Sequence, residues 1–150
     1  MASTYSSRLK LELIGSGEQS NSWGNTTNNT LSRSLEEAIA GVLAISLNGV
    51  SSPLTLSSGN GPVVAASNQA RSAAIRFHSF TTAFTVNFPA VEKIYYIIND
   101  GTGNATMTLD VGGTGSASNQ QILSPGQKLY AATDGTTWSV SYTHLRAHET

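Results

Sequence analysis

Three histidines, two adjacent glutamates and a few aspartates are the residues of this 150-residue chain whose types could support chemistry. His144 and His148 stand one helical turn apart, the spacing at which two imidazoles share a zinc ion. A usable site needs a third ligand and usually a Glu after the first His, and Leu145 stands there instead. His78 falls on a predicted strand with Ala73, Ile75 and Phe77. A lone His with Asp100, Asp110 and Asp134 at turns or strand faces makes no Ser-His-Asp arrangement. Glu36 and Glu37 are neighbours on a predicted helix and cannot converge on one glycosidic bond. Gly101-Thr102-Gly103 and Gly112-Gly113 neither open a helix nor offer a Lys, which disfavours a phosphate cradle. The absence of Cys removes disulfide scaffolds, Cys-bound zinc and thiol nucleophiles. The sequence therefore predicts no catalytic residues, no cofactor and no metal.

What remains is recognition. Tyr95, Tyr96, Tyr130 and Trp138 offer rings on which a sugar could stack, wherever those rings reach the surface. Successive strand residues face opposite sides, so half of them must point inward. Tyr130 and Trp138, near turns, are the candidate glycan contacts. Trp23 is the one large apolar residue between Gly15 and Asn29, and is placed to plug into the main body or into a neighbouring subunit.

Charged residues are only 11% of the chain, against about 25% in an average soluble protein. Ser, Thr, Asn and Gly take their place, a surface suited to contact with protein or sugar. The net charge of −1 leaves no basic face for nucleic acid and no polybasic run for anionic lipid. The polar N-terminus lacks an apolar signal core, and no apolar run approaches the ~18 residues of a membrane span. Neither nucleic-acid binding nor membrane insertion is expected.

The elements that must position these residues are mostly strands. Leu9, Leu11 and Leu13 alternate with charged residues as a half-buried strand does. Thr30 is placed to cap a helix with apolar Leu31, Leu35, Ala38, Ile39 and Val42 on one side, ended by Gly41 in the left-handed conformation. That stripe must dock on its own β-domain, on a trimer axis or on an adaptor; Trp23, Leu31, Leu35 and Ile39 are the candidate interface. Beyond Gly41 the period is two. Leu43, Ile45 and Leu47 run to Asn48-Gly49, a hairpin signal, and Leu54 and Leu56 begin the return. Ala73 to Phe77 and Phe84 to Phe88 alternate, and Ile94 to Ile98 reads as a central strand covered on both faces. Strands at Met107, Ile122, Lys128 and Trp138 follow. Short strands about ten residues apart predict a mainly β chain, an antiparallel β-sandwich or jelly-roll-like domain with one N-terminal amphipathic helix.

Two resemblances complete the reading. Leu9, Leu11 and Leu13, then Gly15-x-Gly17-Glu18-Gln19, Ser22-Trp23-Gly24, Thr26-Thr27-Asn28-Asn29 and Leu35 to Ile39 stand in an order that resembles bacteriophage virion proteins of the tail-fibre or tail-associated kind. A weaker likeness continues through Val86 to Pro89, Val91 to Ile98 and Pro125-Gly126 to Gly135. The resemblance implies a virion structural protein without catalysis, acting in attachment or assembly. It also implies other virion proteins as partners, a homotrimer, and assembly in the bacterial host cytoplasm. The alternative is a carbohydrate-binding adhesin or receptor-binding module that contacts host surface glycan. Val140 to Thr150, VSYTHLRAHET, resembles a translated sequencing adapter, which would remove His144 and His148 and make the natural gene longer. The expected organisation is a strand-loop-helix attachment segment at 1–41, a β-sandwich domain at 42–139 and an artefact at 140–150.

Overall fold

A computed structural model of the chain describes residues 2–141. The His144 and His148 pair lies outside them. Of the described residues 35% are strand and 19% helix, so they are mainly β, with one helix of 18 residues.

The N-terminus departs from the expected single strand. β1 (Thr4–Tyr5) pairs antiparallel with β2 (Glu12–Leu13), and Leu9 lies in the turn between them. Ser6 closes this turn: its N–H donates to the Leu11 carbonyl at 2.9 Å and its Oγ accepts the Leu11 N–H at 2.9 Å. The Gly61 N–H donates to the Lys10 carbonyl at 2.7 Å, and Arg8 pairs with Glu92, so the hairpin lies against the rest of the chain.

The helix begins eight residues earlier than expected. α1 (Trp23–Asn29) passes into a π-helical stretch (Thr30–Leu35) and then α2 (Glu36–Ala40), and Thr30 sits inside it as no cap. Gly41 is extended at φ −70, ψ 134, so it does not end the helix in the left-handed conformation. It is glycine for space: a Cβ there would lie 2.5 Å from the Glu37 carbonyl oxygen.

The expected apolar stripe docks only in part, with Leu35 and Ala38 half-buried. Ser34 is buried, whereas Leu31, Ile39 and Val42 are exposed. Arg71 is the physical reason. Its fully buried guanidinium donates to the Arg33 carbonyl at 3.0 Å and stands 3.8 Å from the Glu37 carboxylate. Burying a charge requires such partners, and the helix supplies a backbone carbonyl and a nearby carboxylate. The wider π turns also put a 3.6-residue reading out of phase.

From Gly41 onward the strands build two sheets. One has the order β11 (Trp138–Ser141), β10 (Lys128–Asp134), β7 (Glu92–Asp100), β5 (Ala74–His78), β3 (Val42–Ser46). The other runs β4 (Leu54–Thr55), β6 (Phe84–Phe88), β8 (Met107–Val111), β9 (Gln120–Leu123). From β3 to β8 the chain changes sheet at every step, so strands two apart become neighbours. β3 with β5, β5 with β7, β4 with β6 and β6 with β8 all pair parallel, correcting the antiparallel expectation. Only the later additions are antiparallel: β9 on β8, β10 on β7 and β11 on β10. Asn48-Gly49 is accordingly a corner between sheets and no hairpin. Gly49 has φ +73 and the Val50 N–H donates to the Leu47 carbonyl, but β4 pairs in the other sheet.

One apolar core draws on both sheets, with Ile75, Phe77, Tyr95 and Ile97 from the first and Val86, Phe88, Met107, Leu109 and Val111 from the second. β11 runs on to Ser141, and Val140 packs against this core.

Candidate interaction surface

β7 is central in its sheet, as expected, but it is not covered on both faces. Tyr95 and Ile97 are fully buried, whereas Ile94 is 54% and Tyr96 38% exposed. The register extends this bare face across the strands. Tyr130 of β10 stands opposite Tyr96, Tyr96 opposite Ala74 of β5, and Ala74 opposite Val42 of β3. Tyr130 is 57% exposed and Val42 73%. The end of the helix extends the row with Ile39, 71% exposed. Together they line a groove of about 470 Å³ floored by small residues such as Ala73, Ala74 and Gly41. Isolated exposed apolar residues need no explanation, but a contiguous row of them does.

The candidate glycan contacts separate. Trp138 stands opposite Thr133, a buried position, and turns inward: its ring meets Phe88 edge-on at 5.2 Å between centroids and Tyr95 at 6.1 Å. Tyr130 points to the other side of the same sheet, so the two rings cannot form one platform. Trp138 is therefore corrected from a surface contact to a core-edge residue. Of the candidate interface residues, Ile39 joins the sheet row, Trp23 and Leu31 are exposed on the helix, and Leu35 is half-buried. The sequence reading missed Ile94 as a surface residue and left open which of Tyr95 and Tyr96 reaches the surface. The signal was present in the parity of β7, which puts Ile94 and Tyr96 opposite Tyr95 and Ile97.

The acidic groups are engaged elsewhere. Asp100 accepts from Arg76 Nε at 2.9 Å. Asp110 is buried and accepts the Gly115 N–H at 2.7 Å and the Thr114 N–H at 3.2 Å. Asp134 organises its own turn: the backbone N–H groups of Thr137 and Thr136, at 2.7 and 2.8 Å, hold its carboxyl far below the usual carboxylate range. Beside it a second hollow of about 420 Å³ is bordered by Glu92, Lys93 and Ser139. His78 Nδ1 lies 2.8 Å from Ser79 Oγ. Among the described residues no three His, Asp or Glu side chains are grouped to hold a metal ion, and no helix is long and apolar enough to cross a membrane.

Lys93 is the unusual cation here. Its Nζ donates to the Ser72 carbonyl at 2.9 Å and the Ile94 carbonyl at 3.3 Å, and lies 4.0 Å from the centre of the Tyr95 ring. Burial lowers its pKa to about 8. Above that pH the folded chain sheds a proton that the unfolded chain keeps, so stability should rise with pH. A gain of about 2 kcal/mol is expected between pH about 7.5 and 9.5. The Tyr95 hydroxyl, whose pKa burial raises, opposes the trend only above its ordinary range near pH 10. Urea unfolding at the two pH values checks this. Lys93→Met should flatten the profile, and an equally steep rise in that variant would refute the assignment.

Comparison of the chain with protein-family models, curated proteins and solved structures finds no match.

Proposed function

We propose that this chain is a structural subunit of a bacteriophage virion, of the tail-fibre or tail-associated kind, that acts by contact and not by catalysis. The ordered elements from Leu9 to Ile39 support the virion assignment by resemblance. One observation carries the contact role: the uncovered row Tyr130, Tyr96, Ala74 and Val42 across a central sheet. On a chain so poor in charge, such a row is best stabilised by burial against another macromolecule. In this reading the two sheets act as the layers of a β-sandwich wound by alternating strands. The subunit is a homotrimer that assembles with other virion proteins in the bacterial host cytoplasm. Mass spectrometry of density-purified particles from a producing host tests the proposal. Peptides of this chain are expected in the particles at a fixed ratio to capsid protein; their confinement to the soluble host fraction would defeat the proposal.

The second reading, a carbohydrate-binding adhesin, is favoured by the neighbouring rings of Tyr96 and Tyr130. Sugar sites also need convergent polar groups. Apart from the two tyrosine hydroxyls, the side chains lining this groove are apolar.

A further inference from the structure

We infer that the outer face of the five-stranded sheet, centred on Tyr96 and Ile94 and flanked by Tyr130, Val42 and Ile39, is buried against other copies of this chain. The inference deepens the proposed function and takes from it only the number of copies, three.

Area is the first argument. With whole side chains of 150–250 Å² for the largest residues, five at 38–73% exposure present on the order of 500 Å². That is near the top of the ~300–600 Å² patch a monomer leaves bare, and approaches the ~800 Å² each partner gives to a standard interface. The exposed Leu31 of the adjoining helix and a polar rim can supply the rest.

Charge is the second. The patch contains no ionised group, and a chain of 8 basic and 9 acidic residues meets its own copy without net repulsion. The Arg76 and Asp100 ion pair lies on the strands β5 and β7 that carry the patch, a pair of both signs suited to a polar rim.

Shape is the third. The same surface carries projecting rings, Tyr96 and Tyr130, and a groove floored by alanines and Gly41. Rotation about a symmetry axis can therefore set the rings of one copy into the groove of the next. A glycan would find few hydrogen-bond partners there, which is why a second copy is the occupant argued for.

The full chain, followed by light scattering from about 1 to 100 µM, should have the mass of three copies. Ile94→Lys with Tyr96→Lys should make it monomeric, with assembly weakened at least 100-fold. Tyr130→Ser, a milder change at an exposed position, should weaken assembly about tenfold while circular dichroism stays that of the parent. Ile122→Ser, at an exposed position on β9 of the other sheet, should leave the mass unchanged. A monomeric parent over this range, or a doubly substituted chain that assembles like the parent, overturns the inference. A dimer dissolved by the same substitutions upholds the surface and removes the trimer. A monomer that binds immobilised glycans only when Tyr130 is intact overturns it in favour of the adhesin. Absence of the chain from virions, measured separately, defeats the virion reading without touching this result.

Discussion

Arg71→Ala is expected to lower the stability of this protein by about 3–5 kcal/mol. The guanidinium is inaccessible to solvent, and its donors reach carbonyls from two separate segments: Arg33 in the helix at 3.0 Å, and Gly61 and Val63 in the loop before β5 at 2.6 and 3.4 Å. Burial lowers its pKa and the nearby Glu37 carboxylate opposes that shift, so the group remains charged. Truncation strands three acceptors and one carboxylate in a space too small to rehydrate freely, and each orphaned group costs about 1–3 kcal/mol. Arg71→Lys should recover only part of the loss, because an ammonium cannot span the fork of acceptors that a planar guanidinium does. Glu37→Gln should cost under about 1 kcal/mol, since Glu37 is partly exposed and stands too far from Arg71 for a hydrogen bond. Urea unfolding of the three variants measures this order. A loss in Arg71→Ala no larger than in Glu37→Gln would show that the helix is held by something else. Because the π stretch and α2 lead into β3, the same variant should also loosen the Ile39 end of the contact surface.

Asn99→Leu is expected to cost about 3–5 kcal/mol as well, for a different reason. Asn99 is fully buried in β7, where its Nδ2 lies within donating distance of the carbonyls of Ala105, Leu123 and Ser124 at 2.8 to 3.1 Å. Its Oδ1 accepts the Gly101 N–H at 3.0 Å. One amide thus joins a strand of the five-stranded sheet to the end of β9 and to the loop before β8 in the other. An isosteric leucine fills the volume and satisfies none of these groups. Asn99→Asp gives the sharper signature. A carboxylate among carbonyls is repelled and desolvated, so its folded pKa must rise, and the variant should be more stable in weak acid than at neutral pH. Thermal unfolding of the Asp variant at pH about 4.5 and 7 reads this out; a variant that is equally stable at both would remove Asn99 from this role. The close approach of Gly101 fits the same knot, since a Cβ there would lie 2.4 Å from Ala105 Cβ and 2.7 Å from the Phe80 ring.

Much of the core was legible in the sequence. The alternations around Ile75, Phe77, Val86, Phe88, Met107 and Leu109 are local patterns with a period of two, and these residues are buried. Partner choice was not legible, because pairing is decided by where a turn sends the next strand. Asn48-Gly49 marks a turn whether the chain returns beside β3 or crosses to the other sheet. The helix was found but not its start or its buried face, since no periodicity announces a buried arginine that is far away in sequence and demands carbonyl partners.

The candidate surface divides in the same way. Tyr130 and Ile39 could be picked out as contact residues from their types and neighbourhoods, and Trp138 could not be told from them. Ile94 and Tyr96 belong to an unbroken apolar and tyrosine run, which reads alike whether the strand is covered on both faces or awaits a cover. By itself the sequence determined a mainly β chain and much of its buried stripes, because these follow from residue type and local period. Only the tertiary structure decided which strands neighbour one another, that Ser34 of the helix is buried while Leu31 and Ile39 are exposed, and that one face of the central sheet stands bare. Those outcomes depend on contacts between residues tens of positions apart, where the need to pair buried polar groups outweighs local pattern.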